Sequence, residues 1–229
     1  MVYRVIARFL SRRLALCLLC HGPAGNEAGI CRACAAELPV LGSACPRCAL
    51  PLPTAAACPG CLRRPPAIGA ARCAWHYAYP VAQLIRRFKH DGDLAAGHSL
   101  GLLAARQLRP VEPLPDLLVP VPLHWRRRWQ RGFNQAELVA EALGRAWQLP
   151  VGRRVMCRIR AGASQQALDR RQRLANLRDS FSVRGKVQGL RIGLVDDVIT
   201  TGATLDAAAA ALLDSGALSI SAYALARTP

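Results

Sequence analysis

Four Cys-x-x-Cys pairs stand close together near the start of this chain: Cys17/Cys20, Cys31/Cys34, Cys45/Cys48 and Cys58/Cys61. Ten residues separate the first two pairs and nine separate the last two. A Cys-x-x-Cys turn offers two thiolates to one metal, and a tetrahedral zinc takes four such ligands. Two pairs joined by a short ribbon therefore make one site, and four pairs make two. The simplest assignment joins first with second and third with fourth; the spacing alone also permits cross-pairing. All ligands are protein thiolates, which leaves no open position for water, so the zinc is read as structural.

The same eight cysteines suit a disulfide scaffold if the chain is exported. The N-terminus argues against export. Arg12 and Arg13 precede an apolar run, Leu14 to Cys20, of only seven residues, with no small-residue cleavage site. Leu19 also occupies the place before Cys20 where a lipoprotein signal needs a small residue. No stretch reaches the 18 or so apolar residues of a membrane span. The expectation is a cytoplasmic, metal-binding chain. Cys73 and Cys157 stand apart and are read as core thiols.

Beyond the cysteines the pattern changes. Residues 15–64 read as the zinc module, Arg63-Arg64-Pro65-Pro66 as a linker, and residues 70–229 as a second domain. There, Leu117–Leu123 reads as a strand, Asn134–Trp147 as a helix and Arg154–Ile159 as a short strand. Arg191–Asp196 follows as an apolar strand, Leu205–Leu213 as an alanine-rich helix ended by Gly216, and Leu218–Leu225 as a last strand. Strands alternating with helices predict a parallel α/β sheet with helices on both faces.

The segment Val195-Asp196-Asp197-Val198-Ile199-Thr200-Thr201-Gly202-Ala203-Thr204 carries the chemistry. An apolar strand brings two adjacent acids to its carboxyl end, where ligands of open α/β sheets bind. A hydroxyl-rich turn then opens a helix whose amides can surround a phosphate, and Gly202 permits a tight turn. The carboxylates can accept hydrogen bonds from vicinal ribose hydroxyls, or hold a metal that does so. One short segment thus suits a ribose 5-phosphate. A plain strand-to-helix turn with an N-cap threonine explains the glycine and threonines, but not the two acids directly after a buried strand. The net charge of +17, with Lys89 and Lys186 the only lysines among 31 basic residues, raises the odds of a polyanionic partner. Arginine also grips phosphate bidentately.

This segment resembles the phosphoribosyl pyrophosphate (PRPP) signature of type I phosphoribosyltransferases. The whole chain from Cys17 to Thr228 resembles the ComF (ComFC/GntX-like) family, in which a zinc ribbon precedes such a domain. Further matches are Val119-Pro120-Val121-Pro122-Leu123, Arg131-Gly132-Phe133-Asn134-Gln135, Phe88-Lys89-His90-Asp91-Gly92, and the Gln165–Arg178 region with Arg173 and Asn176. The resemblance implies a type I phosphoribosyltransferase-like sheet behind a double zinc ribbon. Asp196 and Asp197 would contact the PRPP ribose, and Val198 to Thr204 would form the binding loop around its 5-phosphate, with Mg²⁺ arriving on PRPP. Arg126 and Arg131, near Arg127 and Arg128, would face the pyrophosphate, and Gly162–Asp179 would be the closing loop.

The family pattern leaves the acceptor unnamed. Its one candidate hood is Trp75–His98, and His90 and His124 are the candidate bases. Two functions follow from the resemblance. One is a phosphoribosyltransferase of unknown acceptor. The other is a single-stranded DNA-binding protein of natural competence, working with the DNA-uptake machinery at the inner membrane face, its PRPP site regulatory or vestigial. Trp125 and Trp129 beside Arg126–Arg131 suit base stacking in that case and core packing otherwise.

Overall fold

The computed structural model describes residues 16–124, 129, 131–159 and 180–229. In chain order its elements are α1 (Arg32–Ala36), α2 (Pro59–Arg63), β1 (Ala70–His76), α3 (Val81–His90), α4 (Leu94–Gln107) and β2 (Leu117–Pro120). They continue with α5 (Gln135–Trp147), β3 (Met156–Arg158), β4 (Phe181–Val183), β5 (Arg191–Ile199), α6 (Ala203–Asp214) and β6 (Ser219–Arg227).

Four strands pair in parallel in the order β1-β6-β5-β2. The central strands read as unbroken apolar runs because both faces are covered: β5 buries Ile192 to Val195 in succession, and β6 buries Ala222 to Arg227. One face packs on α3, α4 and α5, through Leu84, Ile85, Leu100, Val139 and Leu143 against Val195 and Tyr223. The other packs on α6 and the antiparallel β3–β4 pair, through Leu205, Leu212, Met156 and Phe181 against Ile192 and Leu194. Helix α3 is amphipathic by spacing: Val81, Leu84, Ile85 and Phe88 are its buried residues, one stripe at helical period. Its Phe88 ring packs against α4 at Gly97, where an added Cβ would clash with the ring.

Several elements differ from the sequence reading. The strand expected over Leu117–Leu123 stops at Pro120. One more bond follows, Val121 N–H to the Val195 carbonyl at 2.8 Å, and Pro122 has no N–H with which to continue. Strand β5 runs through both acids to Ile199 instead of ending at Asp196, so Val198 and Ile199 belong to the strand and the loop shrinks to Thr200–Gly202. The proposed hood, Trp75–His98, begins inside the sheet: Trp75 lies on β1 at 1% exposure. Within that span, α3 reaches the acids through Lys89, 2.8 Å from Asp197.

The cysteine module packs on the sheet. Residues 39–46 run antiparallel along the free side of β1: His76 donates to the Pro39 carbonyl (2.8 Å), Leu41 to the Ala74 carbonyl (2.9 Å) and Ala71 to the Pro46 carbonyl (2.8 Å). This covers an edge that would otherwise offer unpaired backbone groups. Just past the expected linker, the Ala67 amide donates to the Asp206 carboxylate on α6 at 2.6 Å. The first ribbon rests on α3 and α4, where Arg106 pairs with Glu27 at 2.9 Å.

Candidate functional site

The thiols of Cys17, Cys20, Cys31 and Cys34 converge within 4.8 Å of one another, and so do those of Cys45, Cys48, Cys58 and Cys61. Of the pairings the spacing permits, the fold adopts first with second and third with fourth. Sulfur separations decide between metal and disulfide. Cys20–Cys31 is 3.8 Å and Cys48–Cys58 is 3.7 Å. A disulfide needs about 2.05 Å, whereas four sulfurs at about 2.3 Å from a central zinc lie about 3.8 Å apart. All ten cysteines are free thiols, and the tetrads fit structural zinc.

In each ribbon one thiol, Cys17 or Cys45, is lowered by backbone amides, while Cys34 is raised by the neighbouring thiols and by burial, and Cys48 and Cys61 by burial and by the neighbouring thiols. Burial raises the Cys17 thiol, but the amides of Cys20, Cys31 and Leu19 outweigh it and bring it down to about 6. Cys45 behaves alike, with burial opposed by the amides of Cys58, Cys48 and Arg47, and also comes to about 6. The two ribbons are an internal repeat. Bridges Leu16–Pro23 and Ala44–Pro51 correspond, and so do the left-handed residues His21 (φ 61°) and Ala49 (φ 56°). Cys31 and Cys58 cap the short helices α1 and α2 in the same way. Cys17 and Cys45 stand 28 residues apart, as do Cys20 and Cys48. That offset was visible in the sequence and marks the duplication.

At the carboxyl end of β5, strand alternation sends Asp196 and Asp197 to opposite faces of the sheet. Asp197 faces the helical layer, where Lys89 at the end of α3 meets it at 2.8 Å, with side chains 21% and 13% exposed. Asp196 accepts the Asp197 amide at 2.8 Å. Burial, then the Asp197 charge, push the Asp196 carboxyl up to about 7, although Lys89 and Arg158 pull it down. Lys89 belongs to the Phe88–Gly92 segment, whose part in the site the sequence did not show. Arg158 on β3 is a second cation the sequence reading passed over; it also lies 5.4 Å from the Phe181 ring centroid.

The turn after Ile199 exposes Thr200 and Thr201, and Gly202 sits at φ 78° as the N-cap of α6. No side chain caps the helix at Gly202. Thr201 Oγ1 accepts the Ala203 amide at a long 3.4 Å. First-turn amides without a firm internal acceptor, at the positive end of a 12-residue helix, suit an anion.

The Arg131–Gln135 segment is tied to this site through Phe133, whose ring stacks on Phe88 at 5.4 Å, one residue from Lys89. Asn134 donates to the Val121 carbonyl at 3.0 Å and accepts the Ala136 amide, which fixes the start of α5 at the end of β2. Arg131 is part-exposed and donates to Gln135 Oε1 at 3.4 Å. Arg126, Trp125, and the whole Gly162–Asp179 loop fall outside the described residues. Of the candidate bases, His90 is exposed and His124 is buried at 7%. Cys73 is a core thiol that burial pushes up to about 12; Cys157 is half-buried on β3. Trp129 is not core: it is 86% exposed.

Fold and sites together define a class, a paired zinc ribbon built onto a parallel α/β sheet. A family model described as a double zinc ribbon domain matches residues 7–74. The chain is 36% identical over 225 residues to the "DNA utilization protein YhgH" of Escherichia coli (strain K12), covering 93% of this chain and 97% of that protein. It is 33% identical over 178 residues to "Competence protein F" of Haemophilus influenzae, covering 74% of this chain and 78% of that one. With "Competence protein ComFC" of Bacillus subtilis the identity is 31% over 209 residues, 87% and 84% of the two chains. Among solved structures, a purine phosphoribosyltransferase from Pyrococcus horikoshii aligns with a TM-score of 0.33 and 19% identity, over 57% of this chain and 80% of that one. This chain belongs to the ComF family. No described helix is long and apolar enough to cross a membrane.

Proposed function

We propose that this chain binds Mg²⁺-PRPP at the end of β5 and is a phosphoribosyltransferase whose acceptor is still to be found. One observation carries the reading: an acid pair and a hydroxyl-rich anion cradle, residues 196–204, lie on one strand–turn–helix at the carboxyl edge of a parallel sheet. In this reading Asp196 and Asp197 accept hydrogen bonds from the ribose hydroxyls. Thr200, Thr201, Gly202, Ala203 and Thr204 hold the 5-phosphate, with Val198 and Ile199 fixing the cradle to the sheet. Lys89, Arg131 and Arg126 serve the pyrophosphate, whose departure needs positive charge nearby. Transfer breaks the bond from the anomeric carbon to pyrophosphate and forms one to the acceptor, whose proton leaves to a base. The test is thermal shift against PRPP, ribose 5-phosphate, pyrophosphate and phosphate, each with Mg²⁺, together with pyrophosphate release from PRPP. Stabilisation by PRPP beyond that by any fragment supports the reading. Equal shifts with all four would reduce the site to a generic anion cradle.

A second reading is favoured by Trp129, an indole 86% exposed on a chain of net charge +17. It makes the protein a cytoplasmic single-stranded DNA binder of natural competence, with PRPP a regulatory ligand; the relatives' names speak of DNA utilization and competence. Base stacking is worth about 1–3 kcal/mol per base, so Trp129→Ala would weaken binding of a labelled oligonucleotide roughly fivefold or more. Unchanged binding removes this reading.

A further inference from the structure

The first knuckle of each zinc ribbon hands a backbone carbonyl to an arginine of the α/β domain. In the first ribbon Arg87 donates to the Leu18 carbonyl at 3.3 Å, and also grips Asp93 at 2.6 Å. In the second, Arg227 Nε donates to the carbonyl of Cys48, itself one of the four thiol ligands, at 3.1 Å. Arg227 is 6% exposed. Its guanidinium reaches further acceptors: the Ile199 carbonyl at 3.4 Å, the Thr228 hydroxyl at 3.3 Å and the Thr228 carbonyl. Ile199 is the last residue of β5, and the Thr200–Gly202 turn begins at the next bond. Two more ties converge here. The Thr228 amide donates to the same Ile199 carbonyl at 3.0 Å, and Ala49, one residue past Cys48, shares a buried cluster with Ile199 and Leu205.

We infer that the second zinc ribbon is a positioning element of the phosphate loop, with Arg227 as its arm. This rests on the reading of residues 196–204 as the ligand site. A metal-held knuckle fixes the Cys48 carbonyl, and that carbonyl orients a buried guanidinium. The guanidinium in turn holds the point where strand gives way to turn. Lysine could not replace it, because its single ammonium lacks the planar fork that spans several fixed acceptors. Zinc occupancy and ligand binding are then linked, and the linkage is reciprocal: whatever zinc does for the ligand, the ligand does for zinc. The first ribbon, tied to α3 and α4, has no such bond to the turn among the described residues.

The test is hydrogen exchange across Val195–Thr204 in the full chain, comparing wild type with Arg227→Gln, Arg227→Lys and Arg87→Gln, each checked for two zinc ions. Arg227→Gln should exchange this segment about tenfold faster with both zincs retained, Arg227→Lys should fall between, and Arg87→Gln should match wild type. Affinity for Mg²⁺-PRPP should drop about tenfold in Arg227→Gln, by less in Arg227→Lys, and not at all in Arg87→Gln. Wild-type exchange in Arg227→Gln overturns the inference, as does an equal rise in Arg87→Gln. If Arg227→Gln loses its fold or a zinc, the wild type decides. A chelating dye should extract one of its two zincs at least fivefold more slowly with Mg²⁺-PRPP bound, and identical rates refute the linkage. If the wild type does not bind PRPP at all, the ligand reading falls, and the exchange comparison still judges the role of Arg227.

Discussion

Asp196 is held at odds with its own stability. Its carboxyl has an ordinary value of 3.8 and is raised to about 7 by burial and by Asp197. The folded protein therefore binds this proton more tightly than the unfolded chain. The associated stabilisation is complete below about pH 4 and lost as pH rises to about 7. Asn at this position carries no charge at any pH. Asp196→Asn should accordingly be more stable than wild type at pH 8, by about 1–2 kcal/mol after allowance for partial exposure. The gain should vanish near pH 4, as urea melts at the two pH values would show. Lys89 works the other way. Its pair with Asp197 is neither exposed nor sealed, so Lys89→Met should cost about 1–3 kcal/mol, between the ~0.2–1 of a surface pair and the ~3–5 of a broken buried one. The acids and the threonine turn were legible because they are adjacent in sequence. Lys89 was not, because only folding brings α3 over β5. Arg227 was missed for the same reason: nothing around it in the sequence points to Ile199 or Cys48.

Among elements, the strongest local patterns were read correctly in kind and roughly in extent: α5, α6, β5 and β6. The ends moved where backbone chemistry intervened, as at Pro122, or where pairing with β6 carried β5 past its acids to Ile199. Strand β1 escaped because Ala70–His76 has neither alternation nor an unbroken apolar run; its pairing with β6 makes it a strand. Helix α4 escaped for a related reason, since its alanines, glycines and leucines bury most of its surface and leave little polar face. The turn that ends β5 depends on Gly202. An added Cβ meets nothing within 4 Å, so the cost of Gly202→Ala is conformational, about 1–2 kcal/mol for the positive φ of 78°. That penalty, read by thermal melt, should be accompanied by weaker PRPP binding. A purely structural turn would show the melt effect alone.

For the molecule as a whole, the zinc ribbons are part of the architecture and not an appendage. They close the β1 edge, rest on α3 and α4, and reach the end of β5 through Arg227. Metal analysis should find two zinc ions per chain. Because metal-binding energy is folding energy in such modules, stripping both should destabilise the sheet as well as the ribbons. Far-ultraviolet dichroism and tryptophan emission from buried Trp75 on β1 would report it. Independent melting of a zinc-free ribbon beside an unaltered sheet would contradict this.

The central claim is that residues 196–204 bind PRPP. Calorimetric titration of the zinc-loaded protein with Mg²⁺-PRPP, beside the Asp196→Asn/Asp197→Asn double variant, tests it most directly. The account predicts saturable binding at one site per chain, lost in a double variant that remains folded and keeps both zincs. A folded, zinc-loaded wild type that takes up no PRPP, or a double variant that binds it equally well, would contradict it.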